Sequence, residues 1–259
     1  MKSLIYFTLL ISTACLGQQS IDVTKIKEWP LTVDRVIAKD NFGTTYSVTN
    51  DVFYKNNGLN NLTYNNLQLG ELYSANAFNP LKINLFYKDF NTVIVLDNRL
   101  AEIFKINFNS VEPYKNVSHI TTGYDNTLWI FNTDLQHLEL YDFKTNTIRA
   151  ETMPVTSDVL DLKSNYNYCW LLTRNHLYKF NYFGSLISKI PNVGYEAISE
   201  NDGDIIIKGG GQLLFVKNES DKIAPFEIPN LLINDFFVVN ETLYIYDSKI
   251  LHEFLIKTD

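Results

Sequence analysis

The chain has 259 residues, with 22 Lys and Arg against 29 Asp and Glu, so its formal net charge is -7. It carries no basic stripe, which argues against a duplex nucleic acid as a partner. Hydrophobic residues make up 46% and aromatic residues 14%, which excludes a disordered chain and fits one domain with a large core.

The N-terminus has the pattern of a secretory signal peptide. A short positive start is followed by the apolar run Leu4–Ile11, which is too short to span a bilayer, and then by small residues. We expect cleavage after Gly17, which gives a signal peptide over residues 1–17 and a single domain over residues 18–259. The chain is therefore predicted to be exported to the periplasm or to the periplasmic side of an outer membrane.

A second processing route starts from Cys15. The sequence Ser12-Thr13-Ala14-Cys15 resembles a lipobox, although Ser12 stands where a Leu is usual. Lipidation at Cys15 would give the domain a peripheral attachment to a membrane surface. The sequence leaves the lipoprotein and the free periplasmic protein open.

Six units along the chain share an apolar run, an Asp/Asn/Gly turn, a central strand and a partner strand. Clear turns are Asp40-Asn41-Phe42-Gly43 and Asp125-Asn126, and a third is Asn201-Asp202-Gly203-Asp204. The mean step is about 40 residues, as in four-stranded propeller blades. The central strand residues are Tyr46, Ile94, Trp129, Trp170, Ile206 and Tyr244.

These short runs of Ile, Val, Tyr, Phe and Thr between polar turns predict antiparallel strands rather than helices. We therefore expect an all-β fold, a β-propeller with six blades. The segment Ile21–Ile26 is expected to close the ring as the outer strand of the last blade, because this removes a free sheet edge. Five or seven blades remain open, since the first step between units is long.

No catalytic, cofactor-binding or metal motif is found. The four histidines lie in different units, and His119 is the best candidate for a channel residue. Gly209–Gly211 precedes a strand, so it indicates a hairpin and not a phosphate loop. Asn201–Asp204 indicates a turn rather than a calcium loop. Cys169 is predicted to be a buried thiol.

The densest apolar stretch covers residues 79–100 and reads NPLKINLFYKDFNTVIVLDNRL. It resembles a family of exported propeller-like proteins of the Bacteroidetes, which carry a similar NPL-x-I-x-LFY-x-DFNTV-x-x-LDN stretch. Members of that family look similar to the Plug subunit of the type 9 secretion translocon, which closes the periplasmic mouth of the outer-membrane pore. The resemblance makes five residues candidates for an interaction surface: Asp89, Phe90, Asn91, Asp97 and Asn98. They could equally be turn formers, with Asp89–Asn91 and Asp97-Asn98 at successive hairpin turns.

The functional expectation is a non-enzymatic, protein-binding propeller of the bacterial envelope. Its partner would be a protein, and the resemblance implies that this partner is an outer-membrane translocon. Docking would use aromatic loop tips surrounded by Asn and Asp. One alternative is a propeller lyase or hydrolase with a site at the channel mouth. Another is a ligand-sensing propeller.

Overall fold

The computed structural model describes residues 20–218 and 222–257. The expected signal peptide and Cys15 lie outside the described residues. Apart from two short 3-10 helices at Lys88–Phe90 and Phe108–Ser110, the regular structure of the described part is β-strand. No helix in the described part is long and apolar enough to cross a membrane.

Four sheets of the described part each contain four strands that follow one another in the chain and pair antiparallel. Their strands are β2 (Arg35–Lys39), β3 (Thr45–Thr49), β4 (Val52–Asn56) and β5 (Asn61–Tyr64); β6 (Ser74–Asn76), β7 (Ile83–Tyr87), β8 (Thr92–Leu96) and β9 (Glu102–Asn107); β10 (Val117–Thr122), β11 (Thr127–Asn132), β12 (His137–Asp142) and β13 (Thr147–Glu151); and β14 (Val159–Ser164), β15 (Tyr168–Thr173), β16 (His176–Asn181) and β17 (Leu186–Pro191).

The fifth sheet has eight strands. They are β18 (Tyr195–Asn201), β19 (Asp204–Gly209), β20 (Gln212–Val216), β21 (Ile223–Glu227), β22 (Asp235–Val239), β23 (Thr242–Tyr246), β24 (Ile250–Ile256) and β1 (Ile21–Pro30). Strand β1 pairs antiparallel with β24 from Val23 to Pro30, and its first two residues also pair parallel with β21. The N-terminal segment thus lies beside the C-terminal strand and extends to Pro30, beyond the expected end at Ile26.

The first strands of successive sheets surround a common axis. Strand β10 contacts β6 and β14, β18 contacts β14 and β22, and β22 contacts β2. Between the first two sheets, the Arg35 guanidinium donates to the carbonyl oxygens of Leu72 and Tyr73, both at 2.6 Å. Small sheets arranged radially around an axis define a propeller. The prediction of an all-β propeller is confirmed.

The core lies mainly between neighbouring sheets. Trp129 of β11 packs with Leu162 and Leu171 of the following sheet, and Trp170 of β15 packs with Ile198 and Ile207 of the sheet after that. Such contacts explain the recurring aromatic residue after the turn, because a large flat side chain fills the space between two sheets that meet face to face.

One predicted unit was placed in the wrong strand. Ile94 lies in β8, the third strand of its sheet, whereas the other five central residues lie in second strands. The equivalent residue is Leu85 in β7. Both strands are completely buried, and an Asp/Asn turn precedes each of them, with Asn76 and Asn79 before β7 and Asp89 and Asn91 before β8. Apolar pattern and turn chemistry therefore gave no means of separating them.

The propeller has two faces with different connections. On the crossover face, turns between second and third strands meet the crossovers between sheets, as where Thr133 N donates to Asn116 O at 2.8 Å. On the turn face lie the turns between first and second strands and between third and fourth strands. There Asn201 Nδ2 donates to Asn240 O at 3.2 Å, and Asn240 Nδ2 donates to Asn41 Oδ1 at 3.1 Å. The latter bond links the last sheet to the first.

Candidate functional site

The structure divides the five candidate interaction residues between the two faces. Asp89 and Phe90 end the 3-10 helix between β7 and β8, with Asn91 next to them, on the crossover face. Asp97 and Asn98 follow β8, on the turn face. Five residues of extended strand separate the two groups, a distance of roughly 16 Å. Asp89, Phe90 and Asn91 are thus brought together, and Asp97 and Asn98 are held apart from them.

Two of these residues have clear structural tasks. Asn91 is buried and has φ of 48°, and its Nδ2 donates to Lys115 O at 2.7 Å while its Oδ1 accepts from Val117 N at 3.2 Å. Asp97 Oδ1 accepts from the backbone of Ala101 at 2.9 Å and of Arg99 at 2.8 Å, and these bonds lower the pKa of Asp97. Asp89, Phe90 and Asn98 are exposed, and their role at an interface stays a prediction.

A set of aromatic side chains on the turn face was not singled out from the sequence. The turn between first and second strands carries an aromatic residue in each of the first four sheets. Together with two residues of a neighbouring turn they form what we term the aromatic crescent, which consists of Phe42, Phe78, Tyr124, Tyr166, Tyr182 and Phe183. The exposed fractions are 92% for Phe42, 42% for Phe78, 45% for Tyr166 and 67% for Phe183.

The members of the crescent contact one another across sheets. The rings of Phe78 and Tyr166, from the second and fourth sheets, meet edge to face with centroids 5.1 Å apart. Tyr124 meets Tyr182 at 6.1 Å, and Tyr182 lies 4.0 Å from Phe183. Five of the six rings therefore lie in two contacting groups, Phe78 with Tyr166 and Tyr124 with Tyr182 and Phe183.

Asp and Asn side chains hold the backbone beneath these aromatic rings. Asp40 Oδ1 accepts from Phe42 N at 2.9 Å, and Asn76 Oδ1 accepts from Phe78 N at 3.0 Å. Asn165 Oδ1 accepts from Asn167 N at 2.9 Å and so fixes the turn that carries Tyr166. Such local side-chain bonds define the turns. Aligning the turns and asking which aromatic residue lies within two positions after an Asp or Asn would have found every member of the set except Tyr124.

Polar side chains cross the central channel on the side of the turn face. Asn76 Nδ2 donates to Thr121 Oγ1 at 3.1 Å, and Thr121 Oγ1 lies 3.0 Å from Ser164 Oγ, which also donates to Thr122 O. Thr121 and Ser164 are buried. This polar bridge joins three first strands, so the channel has a floor at this end.

Towards the crossover face, the first strands of the second, third and fourth sheets enclose a cavity of about 310 Å³. Its lining consists of Tyr73, Ser74, Ala75, Asn76, His119, Ile120, Leu160, Asp161, Leu162 and Lys163. We refer to it as the channel mouth.

His119, the candidate channel residue, lines the channel mouth and is also hydrogen-bonded there, as the alternative of a hydrogen-bonded strand histidine requires. Its Nδ1 is 2.9 Å from Ser118 Oγ, and its Nε2 is 3.5 Å from Tyr73 Oη. Burial lowers the pKa of His119 to about 4, assisted by the positive charges of Lys88 and Lys163 and opposed by Asp161. The imidazole is therefore neutral at pH 7.

The remaining histidines do not join it. His137 contacts Glu139 at 3.2 Å, and His252 contacts Asp247 at 3.0 Å in the last sheet. In the described part of the chain, no three His, Cys, Asp or Glu side chains are grouped to hold a metal ion. Cys169 is buried, which raises the pKa of its thiol, so its thiolate is not available as a nucleophile.

No protein-family model matches the chain, and no curated protein matches it. Solved structures do resemble it. Virginiamycin B lyase from Staphylococcus aureus aligns with a TM-score of 0.62 and 16% identity over 90% of this chain and 85% of that one. BamB from Moraxella catarrhalis aligns with a TM-score of 0.51 and 11% identity over 85% and 71% of the two chains.

A further neighbour is PorZ, described as an essential bacterial surface component of the type-IX secretion system of Porphyromonas gingivalis. It aligns with a TM-score of 0.53 and 11% identity over 92% of this chain but 39% of its own. At these identities the neighbours establish the propeller fold alone. They include a lyase as well as proteins with other roles, so fold similarity does not select a function.

Proposed function

We propose that the chain is a non-enzymatic, protein-binding propeller of the bacterial envelope, an accessory subunit of the type 9 secretion translocon at the outer membrane. The observation that carries the binding role is the aromatic crescent on the turn face. Aromatic side chains bury about 150–250 Å² each and dominate the energetics of protein interfaces. Their arrangement on bonded turns means that little freedom is lost when a partner covers them.

The envelope location rests on the N-terminal export pattern, and the translocon rests on the stretch over residues 79–100 and on its resemblance. PorZ, which shares the fold, is described as a component of a type-IX secretion system, and this is in keeping with the proposal. The proposed partner is therefore a protein of the outer-membrane translocon, with no cofactor involved.

We also infer that the ring has six blades. Strand β1 pairs with β24 over most of its length and with β21 through two residue pairs, so the eight-stranded sheet is best divided into β18–β21 and β22–β24 plus β1. With the four separate sheets this gives six blades of four strands, in agreement with the mean step of about 40 residues.

The test of docking is capture from the source envelope after mild detergent extraction, with mass spectrometry of the captured proteins. We expect wild-type protein to recover translocon components. The double variant Phe78→Ser, Tyr166→Ser should weaken that complex roughly thirtyfold, because two aromatic anchors of a central cluster are lost. The matched control is Met153→Ser, Leu232→Ser, which removes two exposed apolar side chains from the crossover face.

Equal capture by both double variants would refute docking through the crescent. Recovery of the wild type only as a free monomer would refute the translocon role itself.

A second candidate function, a lyase or hydrolase acting at the channel mouth, is favoured by one observation. His119 is neutral, half-buried and adjacent to Asp161 and Tyr73, as a general base would need to be. The variant His119→Gln separates the two candidates. If the protein docks through the crescent, His119→Gln should capture the same partners as the wild type. If His119→Gln loses capture and the Phe78→Ser, Tyr166→Ser variant does not, the site at the channel mouth is favoured instead.

A further inference from the structure

The channel mouth has a positive charge that is not balanced by a carboxylate. Lys88 Nζ lies over the Tyr73 ring, 4.5 Å from its centroid, and the Tyr73 ring stands at 78° to the His119 ring with centroids 6.0 Å apart. No ion pair of the described residues includes Lys88. The ammonium group therefore lies beside the mouth, over the ring of the lining residue Tyr73.

The carboxylates around the axis are already engaged. Asp161 pairs with Lys163 at 3.2 Å, and its second oxygen accepts from Ile198 N at 2.9 Å. Glu196 pairs with Lys208 at 3.4 Å, and Asp235 accepts from Val36 N at 2.8 Å. An incoming anion would thus meet Lys88 as an available cation.

Two β-bulges shape this end of the channel. The register between first and second strands shifts from Val117 to His119 and from Val159 to Asp161, so each strand carries one extra residue just before its channel side chain. Bulges commonly redirect a side chain next to a binding site. Arg35 supports the opposite wall, because its bonds to the carbonyl oxygens of Leu72 and Tyr73 hold the Tyr73 backbone in place.

We propose that the channel mouth binds a small carboxylate, with Lys88 as the paired cation and His119 Nε2 and Tyr73 Oη as neutral donors. When Ser118 Oγ donates to His119 Nδ1, the ring proton is on Nε2 and is directed at the ligand. Among the described residues at the mouth, the Lys88 ammonium is the one available cation, so it matches a ligand with one negative charge. The Asp161 carboxylate on the lining would repel a second negative charge on the ligand. A cavity of about 310 Å³ is at the small end of ligand sites, sufficient for a free organic acid or one acidic side chain.

This site goes beyond the proposed docking and lies on the opposite side of the channel floor from the aromatic crescent. The two can therefore fail separately. Loss of capture by crescent variants with intact carboxylate binding, or the reverse, tells which of the two proposals is wrong.

The experiment follows the imidazole resonances of the protein by NMR while propionate, which carries one carboxylate, or a terminally blocked peptide with one Glu, is added. The other three histidines are internal controls. We expect saturable shifts at His119 and none at His137, His176 or His252. Binding by propionate alone identifies a free acid as the ligand, and binding by the peptide identifies an acidic side chain.

Lys88→Gln should weaken this binding about tenfold, the loss of one charge-assisted bond. The matched control is Lys144→Gln, which removes another ammonium that lies over an aromatic ring, 5.8 Å from the Phe104 centroid on the turn face. Tyr73→Phe keeps the ring beneath Lys88 and should weaken binding several-fold, so the proposal remains testable if Lys88→Gln does not fold. Absence of saturable shifts at His119 with both probes, equal loss in the Lys144 variant, or equal binding of chloride overturns the proposal.

Discussion

The most deeply buried ion pair of the described residues joins Lys115 and Glu139. Lys115 Nζ donates to Glu139 Oε2 at 2.6 Å, while Asn132 Nδ2 donates to Oε1 at 2.8 Å. Burial alone would raise the pKa of Glu139, but the bonds from Lys115 and Asn132 outweigh it and hold the pKa below its usual value. The carboxylate thus depends on its partners to remain charged inside the protein.

Replacing Lys115 by Met should therefore destabilise the fold by about 3–5 kcal/mol, because Glu139 is left as a buried charge without its cation. Urea unfolding measures the change. The matched control is Arg174→Met, which breaks the exposed pair with Asp158 and should change stability by about 1 kcal/mol or less. Similar losses in the two variants would mean that the buried carboxylate is protonated or solvated.

Asp235 shows the opposite balance. Burial raises its pKa, although the bond from Val36 N and the charges of Arg35 and Lys163 act the other way. A carboxyl whose pKa is raised on folding contributes stability below its unfolded value of 3.8, and this contribution is lost as pH rises through the folded pKa. Above its folded pKa, the ionised carboxylate of Asp235 therefore destabilises the fold.

We expect Asp235→Asn to leave stability at pH 7 unchanged or increased, because an amide oxygen still accepts from Val36 N and the buried charge is gone. Asp235→Ala should cost about 1–3 kcal/mol, since the buried Val36 N–H loses its acceptor. Unfolding curves at pH 4 and pH 7 provide the check. A large loss at pH 7 with Asn would show that the charge itself is needed, for example by Arg35.

At the scale of the strand, the sequence predicted most elements because apolar runs and Asp/Asn turns alternate along the chain. Tyr46, Trp129 and Trp170 were predicted as central strand residues, and all three are buried. The failure at Ile94 has a physical cause, since β7 and β8 are equally buried and the hairpin between them carries the same turn residues as other units. The burial pattern does not show whether a strand is the second or the third of its sheet.

The candidate surface could be predicted only as a stretch of sequence. Strand β8 lies between Asp89–Asn91 and Asp97-Asn98 and places these two groups on opposite faces. Phe78 and Tyr166, which do meet, lie far apart in sequence, and nothing in a single chain indicates that two turns face each other over the axis. His119 was identified as a channel residue because it is in a first strand, but Lys88 could be placed near it only by the ring geometry.

For the whole molecule, the seam between β1 and β24 holds the ring closed. Ile21 and Val23 pack in the same cluster as Phe254 and Ile256, and Trp29 lies opposite Leu251. Without β1, the β24 edge would be unpaired and this cluster would be opened to water, which favours edge-to-edge association.

We therefore expect a variant that lacks residues 1–30 to unfold at lower urea concentration and to form oligomers as its concentration rises, as seen by light scattering. Adding a peptide of residues 21–30 should restore the monomer and the urea midpoint, because the peptide supplies the missing strand. A peptide of the same composition in scrambled order is the control. Unaltered stability of the truncated protein would mean that β1 is only an accessory strand.

The position of β1 also has a consequence for the order of events during biosynthesis. This strand leaves the ribosome ahead of every other strand described, yet its main partner, β24, is the last of them to be made. It must wait without a partner while the intervening sheets assemble, which exposes it to wrong pairings for the longest time. Closure of the ring by pairing of β1 with β24 is thus a late step in folding. Correct folding of this protein therefore depends on protection of β1 from wrong pairing until β24 has been made.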